Sequence, residues 1–318
     1  MKILNTIGEV YTPSARAILE SLGEVDYRVP SPDELLNIAG DYEIFVVGLG
    51  LNFTKEVIDK ATKLKIIATA TTGLDHIDTI CAKERGIEIV SLRGENEFLD
   101  TITGTAELAW GLMLDLARLS YPAYKSVLNY EWDRERFRGH NLSGKTLGVV
   151  GVGRLGKMAV RYGKVFGMRV IASDPNVDVG VHGAEPVDFE TLLRESDFIS
   201  IHVHLSPETE NMFNEVVFSK MKRGSYLINT SRGKIVNEAD LLEALERGVI
   251  AGYGTDVLAD ETSFGKTFAK HPLVEYAKTH NNLIIVPHIG GMTYESREAT
   301  DVFIANKLVR YTKEHLHV

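Results

Sequence analysis

Cysteine is almost absent from this chain, which holds Cys81 alone among 318 residues. A single cysteine cannot close an internal disulfide or build a thiolate metal site, so both are excluded and a reducing compartment is expected. We predict that Cys81 is a small buried apolar residue. The chain also lacks an apolar run of the roughly 18 residues that a membrane span needs, and its N-terminus does not resemble a signal peptide. These absences predict a cytoplasmic protein.

An excess of basic residues is also missing. The 35 Lys and Arg residues face 44 Asp and Glu residues, which gives a net charge of −9. This balance argues against nucleic acid or an anionic membrane as the main partner. With 44% apolar and 25% charged residues and no low-complexity tract, the composition is that of an ordinary globular protein. A chain of 318 residues exceeds the size at which one core usually keeps growing, so two domains are expected.

The first part of the chain alternates short apolar runs with helical patterns. The runs include "MKILNTI", "YEIFVVGL", "LKIIATATT" and "IEIVSL". Such alternation predicts a mostly parallel sheet covered on both faces. We predict a small α/β domain over residues 1–97, and we expect the long helical pattern near the C-terminus to return to it. The domain is then discontinuous and includes residues 290–318.

A second alternation follows "TAELAWGLMLDLARL", residues 105–119, which is apolar around most of its circumference and predicts a buried helix connecting two domains. The apolar runs of this second part predict six strands, at 147–152, 168–174, 198–205, 225–231, 250–257 and 282–288. Six strands with intervening helices have the size of a full dinucleotide-binding sheet. We therefore predict a Rossmann domain over residues 98–289.

The turn "GVGRLG" supplies Gly151, Gly153 and Gly156 between a strand pattern and a helix pattern. The first glycine permits a tight turn, the second lets backbone amides approach a pyrophosphate, and the third packs helix on strand. The next predicted strand ends in Asp174, whose carboxylate can accept hydrogen bonds from both hydroxyls of a ribose. This charge would repel a 2′-phosphate, so NAD is expected rather than NADP. A methyltransferase can use the same turn, but six strands with polar residues at the later strand ends favour a nicotinamide cofactor.

Polar residues end three successive strand patterns of the predicted sheet: Arg232, then Asp256 with Glu261, then His288. Ligands of doubly wound sheets lie at the carboxyl ends of the strands. An arginine can grip a carboxylate through two hydrogen bonds, a histidine can exchange a proton with a hydroxyl, and a glutamate can orient that imidazole. Each residue alone is also compatible with a surface or structural role. Together, beside a nicotinamide, they predict oxidation of a 2-hydroxy acid.

The motifs are recognisable in combination. "GVGRLG" with Asp174, "INTSRGKIVNEADLLEAL", "GTDVLADE" and "VPHIGG", in this order, resemble the D-isomer-specific 2-hydroxyacid dehydrogenase family. "TTGLDHID" resembles the glycine turn of the family's substrate domain. The resemblance covers essentially the whole chain. It implies an α/β fold of two doubly wound parallel-sheet domains, Rossmann-like and flavodoxin-like, with a cleft between them.

The resemblance also implies roles for individual residues. Arg232 resembles the arginine that binds the substrate carboxylate, Glu261 its acidic partner residue and His288 the acid/base. Other positions are assigned by the same motifs: Thr72 and Gly73 to the substrate carboxylate, Arg154 and Leu155 to the pyrophosphate, Asp174 to the adenosine ribose, and Thr230 and Asp256 to the nicotinamide side. The family forms homodimers through the nucleotide domain, and no metal site is expected.

Departures from the family pattern concern the substrate. Phosphoglycerate dehydrogenases of this family place arginines where the chain has Gly48 and Thr69, at positions that face the substrate phosphate. A phosphate without these partners would lose several charge-assisted hydrogen bonds. We therefore hypothesise an unphosphorylated or differently charged 2-keto acid, with Arg93 or the arginines of 134–138 as alternative contacts for a phosphate. Thr262 also stands where the family usually has a proline.

Other functions remain compatible with the same residues. An NAD(H)-sensing corepressor-like binding protein can retain the whole catalytic set. Phosphite oxidation, or oxidation of D-3-phosphoglycerate itself, would use a similar trio. The leading hypothesis is an NAD-dependent enzyme that interconverts a D-2-hydroxy acid and its 2-keto acid.

Overall fold

The computed structural model of the chain describes residues 1–264 and 267–316, without the side chain of residue 181. These residues form two compact units, one of Met1–Thr101 with Thr293–Val318 and the other of Ile102–Met292. The first unit thus consists of two separate stretches of chain, and the second is continuous. The boundaries lie a few residues beyond the positions 97 and 289 that the sequence patterns indicate.

The first unit contains a five-stranded parallel sheet with the strand order β2-β1-β3-β4-β5. Its strands are β1 (Lys2–Asn5), β2 (Glu24–Tyr27), β3 (Ile44–Val47), β4 (Ile66–Thr69) and β5 (Glu88–Val90). With helices numbered along the whole chain, those of this unit are α1 (Pro13–Glu20), α2 (Pro32–Ile38), α3 (Lys55–Lys60), α4 (Thr79–Glu84), α5 (Asn96–Leu99) and α13 (Tyr294–His315), with 3-10 helices at Gly8–Val10 and Ala39–Asp41.

The strands β3 and β4 are buried along their whole length because helices cover both faces of the sheet. Successive side chains of a strand point to opposite faces. Ile44 on β3 therefore joins the core cluster that contains residues of α1 and α13, whereas Phe45 joins the cluster that contains residues of α2, α3 and α4. Cys81 lies in the second of these clusters and is 3% exposed, which confirms the prediction of a buried cysteine.

The second unit contains a seven-stranded sheet. Its strands are β6 (Thr146–Val150), β7 (Arg169–Ser173), β8 (Glu185–Pro186), β9 (Phe198–Ile201), β10 (Ser225–Asn229), β11 (Ile250–Thr255) and β12 (Leu283–Ile285). Its helices are α6 (Gly104–Arg118), α7 (Ser120–Leu128), α8 (Arg154–Val165), α9 (Phe189–Glu195), α10 (Glu215–Lys220), α11 (Glu238–Glu246) and α12 (Pro272–Thr279), with 3-10 helices at Arg134–Phe137, Val179–His182, Gly233–Ile235 and Glu261–Ser263.

The strand order of the second sheet is β12-β11-β10-β9-β6-β7-β8, and all its pairs are parallel. The order reverses between β6 and β9, which is the point where doubly wound sheets bind ligands. The sequence patterns indicate six strands, and the seventh is β8. This strand has two residues and no apolar pattern, and its Pro186 lies at the sheet edge, where a missing N–H is tolerated.

Both faces of the second sheet are also covered. Core residues of α6 and α8 pack with Val149 on one face, and those of α9 to α12 pack with Val150 on the other. The helix expected over 105–119 is therefore α6, which packs on β10 and β11 within the second unit. Two doubly wound parallel sheets confirm the predicted α/β fold class. Within the residues that the structure describes, no helix is both long and apolar enough to cross a membrane.

Candidate active site

The predicted catalytic residues follow the carboxyl ends of three neighbouring parallel strands. β10, β11 and β12 are adjacent in the sheet, so the loops that leave their carboxyl ends lie along one edge. Each loop carries predicted site residues: Thr230 and Arg232 after β10, Asp256 and Glu261 after β11, and His288 after β12. The second unit therefore contains all three predicted catalytic side chains.

Glu261 and His288 are in direct contact. Glu261 Oε1 lies 2.8 Å from His288 Nδ1, and the two side chains are 21% and 30% exposed. Because a carboxylate only accepts, this contact favours the proton on Nδ1 and leaves Nε2 for exchange with another group. The second carboxylate oxygen, Oε2, accepts a hydrogen bond of 3.3 Å from Leu258 N, which fixes the orientation of Glu261.

The backbone of His288 has the left-handed conformation, with φ of 52°. Three hydrogen bonds to Asp256 hold this turn. His288 N donates to the Asp256 carbonyl at 3.0 Å, while Ile289 N and Gly290 N donate to its carboxylate at 2.6 Å and 2.8 Å. Burial raises the pKa of Asp256 to about 6, although these two backbone amides lower it. Asp256 therefore anchors the histidine turn.

Arg232 lies in a loop that buried polar groups hold in place. Asn229 Oδ1 accepts from Ser231 N and its Nδ2 donates to the Arg232 carbonyl, both at 3.0 Å. Ser231 Oγ donates to the Ile201 carbonyl at 2.9 Å. Arg232 is half-buried, and its Nη1 donates to the Ser231 carbonyl at 2.7 Å. The arginine loop is thus attached to two strands of the sheet.

Gly233 lies where the loop of Arg232 closely approaches the loop that carries Glu261. A Cβ built on Gly233 would lie 2.1 Å from the Leu258 carbonyl carbon and 2.3 Å from Ala259 N. Only a residue without a side chain permits this approach of two backbones. Asn229 and Gly233 were not among the predicted site residues. Their signal was present in "INTSRG", as a short amide side chain and a glycine on either side of the arginine that was predicted to bind substrate.

Thr72 and Gly73 belong to the first unit, where they follow β4 and are half-buried. Thr71 Oγ1 donates to the Gly73 carbonyl at 2.7 Å and lies 3.0 Å from Thr69 Oγ1. This network holds the glycine turn. Binding of a substrate carboxylate by Thr72 and Gly73 stays a prediction.

The glycine turn after β6 has the geometry that close approach of a ligand requires. Gly151 has φ of 84°, and a Cβ on Gly156 would lie 2.1 Å from the Gly151 carbonyl oxygen. Helix α8 begins at Arg154, directly after its N-cap Gly153, so its free backbone amides face the turn. Arg154 Nη1 donates to the Ile102 carbonyl at 2.7 Å.

Two further polar residues, Asp174 and Thr230, follow the strands β7 and β10. Asp174 follows β7 and accepts from Val152 N at 2.7 Å and from Asn176 N at 2.8 Å, which leaves lone pairs on both oxygens. Thr230 Oγ1 is buried after β10, and no described residue offers it a hydrogen-bond partner. A buried hydroxyl in this state points to a ligand that would complete its hydrogen bonding.

A family model decides the identity of this arrangement. The model of the NAD binding domain of the D-isomer specific 2-hydroxyacid dehydrogenases matches residues 110–290. The chain belongs to this family. The match lies within the second unit and includes the glycine turn and the three strand ends.

Known proteins of the family resemble the whole chain. D-3-phosphoglycerate dehydrogenase of Methanocaldococcus jannaschii is 36% identical over 304 residues, which cover 94% of this chain and 55% of that protein. The chain thus spans about half the length of that relative. Glyoxylate reductase of Thermococcus litoralis is 37% identical, with 91% of this chain and 86% of that protein covered. D-lactate dehydrogenase of Aquifex aeolicus, solved with NAD and lactic acid, has 29% identity and a TM-score of 0.86, with 100% and 97% covered.

The residues of the second unit fit NAD. The close approach of Gly151 and Gly156 and the open α8 N-terminus suit a pyrophosphate, the Asp174 carboxylate suits a ribose, and the buried Thr230 hydroxyl suits a nicotinamide carboxamide. The predicted family, cofactor and enzyme class, an NAD-dependent D-2-hydroxyacid dehydrogenase, are therefore confirmed. The roles of individual residues stay predictions.

Proposed function

We propose that the chain interconverts a D-2-hydroxy acid and its 2-keto acid, with NAD as the hydride acceptor and NADH as the donor. In the direction of reduction, C2 of the keto acid gains a hydride and the carbonyl oxygen gains a proton, which gives the hydroxyl. Bound NADH supplies the hydride. His288 supplies the proton from Nε2, and Arg232 binds the substrate carboxylate.

The observation that carries this proposal is the contact of 2.8 Å between Glu261 Oε1 and His288 Nδ1. A carboxylate at Nδ1 holds the imidazole in one orientation and stabilises the imidazolium, so Nε2 can give a proton to a carbonyl oxygen and take it back. Asp256 supports the same arrangement from the backbone side through Ile289 and Gly290. An acid/base at the carboxyl edge of an NAD-binding sheet is what hydride transfer at a hydroxyl-bearing carbon requires.

We propose a small unphosphorylated keto acid as the substrate. Thr69 is fully buried at the end of β4 and its hydroxyl lies 3.0 Å from Thr71 Oγ1, so it offers a neutral, internally bonded group. Gly48 has no side chain to reach a ligand. Phosphoglycerate dehydrogenases with arginines at these two positions have charged partners for a phosphate. Glyoxylate, pyruvate and hydroxypyruvate lack a phosphate and need no such partners.

The same proposal includes a homodimer located in the cytoplasm. Large apolar side chains are exposed on α7 and in the segment that follows it, namely Tyr121, Tyr124, Val127, Leu128, Tyr130 and Trp132. An exposed group of this kind is typical of a protein interface. A dimer through this surface of the second unit would cover it. The single cysteine suits a reducing compartment.

A panel of 2-keto acids tests the proposed reaction. We expect oxidation of NADH, followed by absorbance, with one or more unphosphorylated acids, and much weaker oxidation of NADPH because Asp174 repels a 2′-phosphate. D-3-Phosphoglycerate, tested with NAD in the oxidative direction, should be a poor substrate. Tight NADH binding without turnover of any acid would favour a sensor function instead.

The variant His288→Asn tests the proton-transfer role. Asparagine tolerates the left-handed backbone of this position, so the fold should be retained. We expect kcat to fall by about 10²- to 10⁴-fold while the affinity for NADH, measured by fluorescence, changes little. A parallel loss of NADH affinity and of the folded state would contradict this role.

A further inference from the structure

Glu238 is a half-buried acidic residue in contact with the loop that carries Glu261. It is the first residue of α11, and both of its carboxylate oxygens have partners. Oε1 accepts a hydrogen bond of 2.9 Å from Ala259 N, and Oε2 lies 3.2 Å from His271 Nε2. The side chains of Glu238 and His271 are only 21% and 14% exposed. The other ring nitrogen of His271 is buried without a partner among the described residues, so Glu238 is the polar group that this histidine meets.

The backbone of Glu238 has a fixed position. Asn237, the N-cap of α11, accepts hydrogen bonds of 3.1 Å from Ala239 N and Asp240 N through its side-chain oxygen. Asn237 N donates to the Phe213 carbonyl at 2.8 Å. Leu241 of the same helix is fully buried in the core of the second unit. The Glu238 carboxylate therefore extends from a rigid support.

Glu261 is hydrogen-bonded to the residue that precedes Ala259, the backbone partner of Glu238. Glu261 Oε2 accepts from Leu258 N at 3.3 Å, and Glu261 N donates to the Leu258 carbonyl at 3.3 Å. Glu261 is thus hydrogen-bonded to Leu258, and Glu238 is hydrogen-bonded to the next residue of the same loop, Ala259. A displacement of Ala259 would move the Glu261 carboxylate.

We propose that Glu238, together with His271, is a positioning residue for the pair Glu261 and His288. It acts through the backbone of Leu258 and Ala259 and keeps the Glu261 carboxylate on His288 Nδ1. The part of this inference that concerns turnover rests on the proposed function of His288. The part that concerns the position of the Glu261 carboxylate does not. An acidic residue in the first turn also stabilises a helix through the helix dipole, and that effect alone would change stability without changing the histidine.

The tautomer of His288 provides a test that needs no substrate. In protein with ¹⁵N-labelled histidine, nitrogen chemical shifts report the fraction of His288 with the proton on Nδ1, and His288→Asn assigns the signals. Glu261→Gln should lower this fraction because the carboxylate is lost. We expect Glu238→Ala to lower it in the same direction, whereas Glu238→Gln, which keeps an acceptor for Ala259 N, should preserve most of it. Glu243→Ala, an exposed position on the same helix paired with Arg247, should leave it unchanged.

Steady-state kinetics supply the second measurement. With the best keto acid of the panel, we expect Glu238→Ala to lower kcat about tenfold or more while the dissociation constant of NADH stays within about twofold. Glu238→Gln should recover most of kcat. A chain that turns over no keto acid would remove the kinetic measurement and contradict the proposed function, yet the tautomer comparison would still decide the positioning role.

A folded Glu238→Ala protein with the tautomer fraction of the wild type would overturn the proposal. The same conclusion follows if Glu243→Ala changes His288 to an equal extent. Should Glu238→Ala fail to fold, His271→Ala removes the other member of the pair and leaves the charge of the helix terminus in place. We then expect His271→Ala to shift the His288 tautomer towards that of Glu261→Gln, and an unshifted tautomer would reject the proposal.

Discussion

His288 shows how a single residue is constrained from two directions. Its side chain is oriented by Glu261, and its left-handed backbone by the hydrogen bonds to Asp256. A non-glycine residue in this conformation costs about 1–3 kcal/mol, so the surrounding contacts must hold it. Strain of this kind at a reactive side chain is typical of a functional site. The sequence motif predicts a role for His288, whereas its backbone conformation depends on Asp256, from a different strand end.

His202, which follows β9, is expected to make stability depend on pH. Its Nε2 lies 2.9 Å from Ser200 Oγ, and burial lowers the pKa of His202 to about 4. The unfolded chain binds a proton at His202 more tightly than the folded protein does. His202 therefore contributes fully to stability above about pH 6.5, and this contribution is lost as the pH falls towards 4. We predict that His202→Gln, which keeps a partner for Ser200 but does not titrate, removes about 2 kcal/mol of the stability difference between about pH 7 and pH 5.

Urea unfolding of the wild type and of His202→Gln at both pH values measures this effect. Asp256 acts in the opposite sense, since its raised pKa of about 6 gives a contribution that is lost as the pH rises. It is present in both proteins and cancels in their comparison. Equal pH dependence of the two proteins would show that His202 does not titrate differently in the folded and unfolded states.

At the scale of elements, apolar patterns predicted most of the second sheet. The runs that indicated strands end within a few residues of the observed ones because most residues of these strands lie in a sheet covered on both faces, which favours apolar residues. The glycine turn, Asp174 and the residues at the strand ends could be predicted for the same reason, since the carboxyl ends of parallel strands share one edge. Helix α6 was also predicted, through its wide apolar surface.

Elements that depend on contacts distant in sequence were not predictable. β8 has only two residues and exists because it pairs with β7. The 3-10 helix Glu261–Ser263 has no apolar period, and its position depends on the contacts of Leu258 and Ala259 with Gly233 and Glu238. These contacts connect the loop of Arg232, the loop of Glu261 and the start of α11. Nothing in the local sequence indicates their geometry.

Because two loops are in contact at Gly233, the addition of one methyl group there should have a large effect on stability and activity. In Gly233→Ala the new Cβ would overlap the backbone of Leu258 and Ala259, which must then move. We expect the variant to be less stable by about 1–3 kcal/mol and to lose much of its kcat/KM, because the loops of Arg232 and Glu261 are displaced together. Urea unfolding and keto-acid kinetics measure the two effects.

Gly111→Ala is the matched control for this substitution. Gly111 lies within α6, and a Cβ there would meet no atom within 4 Å. Alanine stabilises a helix interior relative to glycine by about 0.5–1 kcal/mol, so this variant should be slightly more stable and fully active. If both glycine variants lowered stability to a similar extent, the loop contact would not be the cause.

At the scale of the whole molecule, the exposed apolar surface of Tyr121–Trp132 predicts the oligomeric state. Tyr124 is 61% exposed and Trp132 is 88% exposed. A stable dimer commonly buries about 1,600 Å² in total, and such side chains supply much of the binding energy. We predict that the wild type sediments as a dimer and that the double variant Tyr124→Glu with Trp132→Glu sediments as a monomer.

Sedimentation velocity over a range of protein concentrations tests this prediction. Val216→Glu, at an exposed apolar residue of α10, serves as a control that should remain dimeric. A wild type that is monomeric at every concentration would reject the proposed dimer. A dimer that persists in the double variant would assign the interface to another surface.

The two stretches of chain that form the first unit have a consequence for synthesis on the ribosome. Residues Ile304, Ala305 and Leu308 of α13 complete the core cluster that contains residues of α1, β3 and β4. These residues are translated after the whole of the second unit, Ile102–Met292. During translation the second unit can therefore reach its native state first. The residues made before it, Met1–Thr101, cannot complete their core until α13 has been synthesised. The portion of the chain that is made first is the last to complete its fold.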